Sequence, residues 1–433
     1  RRELNAKDDE AEKKLNILSD TLTKIGNKLI FFDLALGKLP LQAQKKLLAD
    51  KGLSKYRYSL KLLFENAKHH LTEAEEKILS LKSNTSRHLC FSGTDKILNR
   101  KTIVWKGGTM PFAEAIERVS EQNTKDRKVM WGKAIEVCKG VAEVAENEIT
   151  AIVLDKKIND ELRGFKKPYS AALLGNENSE ESVEALIDVV KKNYAIAHRF
   201  YRLKARMLKM KKLSYVDRSA LIGKEPEVTF KEATGTLQDV FKSVNPLYKD
   251  ILDRMLKDKQ IDVFPKSGKT GGAFCASVIE LPTFVLLNFI PKMRSVMTYA
   301  HEMGHAIHAE RSKAQPTMYQ GHSIAVAETA STLFENLMFD RTLATLNKKE
   351  RIVSLHNRIQ DDIATIMRQV AFFEFEREMH TTIREKGSMN HEELATLMQK
   401  HLKSYLGPAF DITRDDGYTF VYVSHFRNFF YVY

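Results

Sequence analysis

The residues with the clearest chemistry are His301-Glu302-Met303-Gly304-His305. Two histidines four positions apart on a helix present their imidazoles on one face, about one turn apart. Nitrogens placed that way can share one tetrahedral Zn2+. Glu302, next to the first histidine, stands beside such a metal and not on it. A carboxylate there can take a proton from an attacking water and deliver it to a leaving amine, which is the chemistry of metal-assisted amide hydrolysis. A HExxH match arises by chance in a chain this long on the order of a few per cent of the time. The surrounding residues therefore have to decide.

A catalytic zinc needs a third protein ligand and one open position. The segment Ala325-Val326-Ala327-Glu328-Thr329-Ala330-Ser331-Thr332 supplies a candidate. Its small residues let a helix approach the motif helix closely, and Glu328 stands among them. A carboxylate buried alone would be costly, and a metal partner removes that cost. Glu328 is expected to complete the ligand set with His301 and His305, for one Zn2+ per chain. His308, seven residues after His301, would close the open position as a fourth ligand, so it is read as packing or as support for the ligands. Glu335, seven residues after Glu328, fits equally an orienting partner for a ligand histidine and a surface salt bridge. Cys275 shows no base beside it that would make its thiol a nucleophile.

These side chains need rigid elements to hold them. Apolar residues recur at helical spacing along most of the chain, beginning with Leu15, Leu18, Leu22, Ile25, Leu29 and Phe32. Similar segments cover about 58–81, 111–163, 182–211, 230–258, 293–312, 324–345, 348–385 and 391–405. Pro111 suits the first turn of a helix. Residues 261–290 depart from this pattern: short β-branched and aromatic runs, bounded by Gly271-Gly272 and Pro282, predict two strands just before the motif helix. The expected fold is mostly α, with a small β-sheet beside the catalytic helix. Edge strands bind extended peptides through main-chain hydrogen bonds. Gly271, Gly272, Ala273 and Phe274 are thus candidates for contact with substrate, the glycines permitting close backbone approach; a packing role without substrate is the equal alternative. A soft boundary near 125 separates an N-terminal helical region, 1–125, from a catalytic part, 126–433.

The composition narrows the rest. Three cysteines, Cys90, Cys138 and Cys275, are too few and too scattered for a secreted disulfide scaffold, and none forms a CxxC pair. With no signal-peptide core near the start and no apolar run of membrane-spanning length, the expectation is a cytoplasmic protein without membrane contact. The net charge of +13 invites a nucleic-acid reading, but the lysines are scattered among acids and no nucleic-acid motif accompanies them. The charge is read as a solvated basic surface, with no nucleic acid as partner. The chain begins at Arg1 and is read as a fragment or a processed form.

Thr298-Tyr299-Ala300-His301-Glu302-Met303-Gly304-His305-Ala306-Ile307-His308, followed by Glu328-Thr329-Ala330-Ser331-Thr332-Leu333-Phe334-Glu335, resembles the thimet oligopeptidase and oligoendopeptidase F family, the oligoendopeptidase F branch most of all. Tyr215–Ala220, Gly271–Cys275, Leu286–Phe289 and His425–Tyr433 are similar to the same branch. The resemblance implies a two-lobed, neurolysin-like helical zincin whose deep channel admits short peptides. It implies His301, His305 and Glu328 as ligands and Glu302 as base. It further implies that His425, Tyr431 and Tyr433, on a late helix, donate hydrogen bonds to the oxyanion, a charge that develops only in the transition state. Family chains continue beyond this tyrosine-rich helix, so the chain is read as truncated at Tyr433. The leading reading is a zinc endopeptidase for oligopeptides. The alternatives are a carboxypeptidase on the same fold, which would need a basic group to hold a substrate carboxylate, and a non-catalytic peptide binder.

Overall fold

A computed structural model describes residues 9–83, 92–266, 269–278, 280–428 and 430. Cys90, Tyr431 and Tyr433 lie outside them. The described chain is mostly helical, with three small sheets, as the hydrophobic periodicity predicts. It divides into two compact units. One comprises Lys224–His356 with the chain up to Lys68; the other comprises His69–Gly223 with Asn357–Tyr433. The boundary near 125 drawn from the sequence falls inside the second of these. No described helix is long and apolar enough to cross a membrane.

In the first unit the core gathers around two helices, Met293–Ser312 and Ile324–Thr345, with Phe230–Val244 and Pro246–Lys257 packed against them. Thr229 and Glu232 form a capping box that starts the first of the flanking pair, and Asn245 caps the second. Val296, Tyr299, Ala300, Met303 and Ala306 of the motif helix are fully buried. Their spacing is the 3–4 repeat of a core-facing stripe. Three short strands lie beside them in the order Ile261–Asp262, Phe284–Leu286, Phe274–Ala276. Phe284–Leu286 pairs parallel with the first strand and antiparallel with Phe274–Ala276, which is left on the edge. The two strands read from the sequence are both present. The parallel partner at Ile261–Asp262 is too short to leave a sequence pattern.

The long helix Asp9–Gly37 also forms where its periodicity places it, but its apolar stripe stays at the surface: Leu22 is 58%, Leu29 61% and Phe32 56% exposed. Periodicity marks a face and does not say what covers it. The second unit holds a larger core, built from helices such as Thr124–Lys139, Ala142–Arg163, Tyr194–Met207, Gln369–Lys386 and His391–Leu406. The sequence also conceals a hairpin here, Thr102–Trp105 with Gly108–Pro111. Lys106 and Gly107 turn it with positive φ, which glycine adopts without strain. The segment expected to be one helix over 348–385 is broken by a π turn at Ala364–Arg368.

One close approach governs the helix pair of the first unit. A Cβ on Gly304 would lie 2.7 Å from Ser331 Cα and 2.8 Å from the Ala330 carbonyl oxygen. Only glycine lets the two backbones come this near. Gly304→Ala is expected to force the helices apart and destabilise the protein by about 1–3 kcal/mol, the usual cost of overpacking. Chemical denaturation of the variant against the parent measures it, and an unchanged midpoint would show that the contact tolerates a methyl group.

Candidate metal centre

The contact at Gly304 brings the acid-bearing helix Ile324–Thr345 onto the histidine face of the motif helix. His301 and His305, four residues apart, hold their rings nearly perpendicular with centroids 4.9 Å apart. Glu328 reaches both: its Oε2 lies 3.3 Å from His301 Nε2 and 3.7 Å from His305 Nε2. One ligand atom from each of the three lies within 4.8 Å of the others. Two imidazole nitrogens and a carboxylate oxygen, partly open to solvent, are a donor set that fits zinc with a coordination position to spare.

Neighbouring groups hold these ligands in place. Ser331 Oγ donates to Glu328 Oε2 at 2.7 Å. Glu335 Oε2 lies 3.2 Å from His301 Nδ1, which leaves Nε2 of the same ring directed at Glu328. A carboxylate on the far nitrogen fixes a ligating imidazole's tautomer and raises its basicity. Of the two placements open to Glu335 in the sequence, this is the orienting one. Burial works to lower the pKa of His301, but the Glu335 hydrogen bond and the charges of Glu328 and Glu302 outweigh it and hold it above the ordinary value. Burial lowers His305, against the pull of Glu328.

Glu302 is not one of the three clustered ligands. It is 7% exposed, and burial raises its pKa to about 6, with the Glu328 charge adding to the rise and His301 opposing it. Its carboxylate accepts the backbone N–H of Cys275, on the edge strand Phe274–Ala276. The strand so touches the acid that the motif places beside the metal. Nothing in the sequence signals that bond, because it is made by a main-chain group. Burial pushes the Cys275 thiol up to about 12, which keeps it protonated and unreactive.

The remaining candidates fall in different places. Gly271 and Gly272 are exposed just ahead of the edge strand; Gly272 has φ +77°, and the Asn288 amide donates to its carbonyl at 2.8 Å. Ala273 and Phe274 continue into the strand, half-buried. His308 is not in the metal cluster. Its ring lies against His322 of the loop that precedes the acid helix, centroids 4.2 Å apart and planes tilted by 34°, and burial lowers its pKa. His425 belongs to the second unit, on the turn Ser424–Arg427, where burial and then the Arg368 charge lower its pKa.

Known proteins resemble this chain in sequence and in fold. The model of peptidase family M3 matches residues 119–433, and that of the oligopeptidase F N-terminal region matches residues 36–89. Oligopeptidase PepF of Bacillus subtilis is 25% identical over 402 residues, covering 90% of this chain and 60% of its own length. Group B oligopeptidase PepB of Streptococcus agalactiae is 26% identical over 407 residues, covering 90% of this chain and 66% of its own. The chain thus spans about 60% to 66% of these two relatives. The crystal structure of oligoendopeptidase-F from Enterococcus faecium shares the fold, with a TM-score of 0.69 over 94% of this chain and 70% of that one at 20% identity. With the family's model matching over 119–433, a span that includes the whole His301–His305–Glu328 cluster, the chain belongs to peptidase family M3.

Proposed function

We propose that this protein is a zinc-dependent endopeptidase that hydrolyses short oligopeptides. The observation that carries the reading is the convergence of His301, His305 and Glu328 with a buried carboxylate, Glu302, alongside. His301, His305 and Glu328 would hold the ion, and one zinc is expected per chain. Bound there, zinc supplies Lewis acidity toward water and the scissile carbonyl. Glu302 is the base: it removes a proton from the attacking water and returns it to the departing amine. Cys275 N–H orients that carboxylate, and burial raises its basicity toward the working pH range. Glu335 orients His301.

The edge strand Phe274–Ala276 is the element on which an extended peptide would add, with Gly271 and Gly272 leaving room for it. Main-chain recognition of this kind binds peptides of varied sequence. His425, with Tyr431 and Tyr433, remains the candidate set for donating to the oxyanion, on the strength of the family resemblance. Relatives named oligopeptidases support the substrate class.

Metal analysis is expected to find about one zinc per chain, absent from His301→Ala. A wild-type chain that takes up no zinc when the metal is supplied would remove the site. Glu302→Gln should keep its zinc and lose hydrolysis by roughly 10²–10⁴-fold, the usual share of a general base; undiminished turnover would reject the role. Glu335→Gln should bind zinc about 10–100-fold more weakly, measured by chelator competition, while an unchanged affinity would make the His301 contact incidental. Quenched fluorescent peptides of graded length, with free and blocked termini, test the endopeptidase reading: internal cleavage of doubly blocked peptides is the expected result.

A further inference from the structure

The small sheet beside the motif helix has one face in the core and one face that is open at one end. Val285 is buried with the motif helix, and Cys275, its register partner on the edge strand, packs against the same core. Side chains alternate across a strand, so Phe274, Ala276, Phe284 and Leu286 take the opposite face. That face is closed at Leu286, which is buried, and open at Phe284, which is 50% exposed. Phe284 belongs to neither hydrophobic core. Its register partner is Ala276, exposed at the end of the edge strand. Val278 and Leu281, on the connection between the two strands, are exposed as well. Apolar residues scattered singly over a surface need no explanation; three on one short hairpin, beside an edge strand, call for one.

The hairpin is tied down from several sides. Thr283 Oγ1 donates to Glu310 Oε1 at 2.6 Å, close to the C-terminal end of the motif helix, and Arg254 pairs with the same carboxylate. Lys313, just past that helix, donates to the Leu281 carbonyl at 2.9 Å. The Gln260 amide donates to the Thr283 carbonyl at 3.0 Å. Phe284 is thereby held against the helix that carries His301, Glu302 and His305. The edge strand reaches the same centre, since the Cys275 N–H acts on the Glu302 carboxylate.

An extended peptide added to this edge turns its side chains alternately to the two faces. On the open face one of them stands beside Ala276, with about 5 Å between Cβ atoms. Alanine ends at its methyl group. A long side chain at that place can therefore pass over Ala276 and meet the Phe284 ring, one strand further in. A ring there removes apolar surface of Phe284 from water and gains an aromatic pair.

We propose that Ala276 and Phe284 form a side-chain subsite that selects a bulky apolar residue, aromatic above all, in an extended peptide substrate. The proposal rests on the peptidase reading and on addition of the peptide at the edge strand. Main-chain bonds would hold any peptide, and the ring behind Ala276 chooses among them. Because neighbouring residues turn to the other face, the choice falls on one residue of the peptide and skips those on either side.

Fluorescence anisotropy tests this on Glu302→Gln protein supplied with zinc, which prevents turnover. The probes are labelled, doubly blocked peptides of serine and glycine in which a single phenylalanine is moved one position at a time. Phenylalanine should tighten binding roughly 3–10-fold at one position and leave its two neighbours without effect. Phe284→Ser should abolish the gain, Ala276→Leu should abolish it by filling the space, and Phe284→Tyr should retain it. Both altered positions are exposed, where substitutions change stability little, and the unfolding midpoints check that the fold is intact. A gain at no position, or one that survives both Phe284→Ser and Ala276→Leu, overturns the proposal. Self-association that Phe284→Ser removes while the peptide preference stays would give the face to a second copy, and overturns it too. If the preference depends on Phe284 but wild-type protein cleaves none of the peptides, the peptidase reading fails and the subsite stands. Cleavage with no such dependence keeps the peptidase and removes the subsite.

Discussion

The candidate metal centre depends on how closely two helices approach. Ligand atoms spaced for one ion need Glu328 within about 4 Å of both imidazoles, and a carboxylate side chain is short. The motif helix must therefore meet its partner almost backbone to backbone. Gly304 on one side and Ala330-Ser331 on the other permit it, because nothing larger than hydrogen stands between Gly304 Cα and Ser331. The glycine between the two histidines is a steric requirement of the third ligand. Ser331 serves twice, as the small residue at the contact and as the donor that holds Glu328 Oε2.

Once assembled, the cluster is an electrostatic arrangement that wants a cation. Glu328, Glu335 and Glu302 all act on His301, and desolvation makes the crowding of acids expensive. The charges are nonetheless not equivalent. Glu328 stands partly in solvent, with 45% of its side chain exposed, and faces both ligand nitrogens. Glu302 is buried, and a main-chain N–H acts on its carboxylate. Position in the helix explains the division: residue i+1 from a ligand histidine is rotated about 100° from its face. The same carboxylate chemistry thereby supplies a ligand at one place, an orienting partner at another and a base at a third.

Most of the helical framework was legible because burial imposes a period. Met293–Ser312 and Ile324–Thr345 run over the stretches that the apolar repeats mark, and their convergence could be anticipated from Glu328 lying among small residues. Three kinds of feature were hidden. Main-chain contacts, such as Cys275 N–H on Glu302, carry no residue signature. Very short strands, such as Ile261–Asp262, exist only through tertiary pairing. Side-chain periodicity also cannot report whether a face is covered, and the exposed Leu22, Leu29 and Phe32 show this. Glu335 fell between: its spacing from Glu328 allowed two placements, and only the fold could choose.

The basic charge is better understood by location than by sum. Many surface cations have an acid one helical turn away, as in Lys24 with Asp20, Lys77 with Glu73 and Arg118 with Glu114. Exposed pairs of this kind are screened and worth little individually, which suits a solvated surface. Arg218, Arg368 and Lys204 differ in kind. Arg218 and Lys204 are drawn together by the fold of the second unit, the Lys204 ammonium donating to the Arg218 carbonyl, with Asp217 and Asp361 acting on the lysine. A sequence presents all arginines alike and does not say which of them takes Asp217. Arg127 takes that aspartate, from ninety residues away in the chain. Which cation takes a given acid is thus settled by competition in three dimensions, where neighbours in sequence hold no advantage.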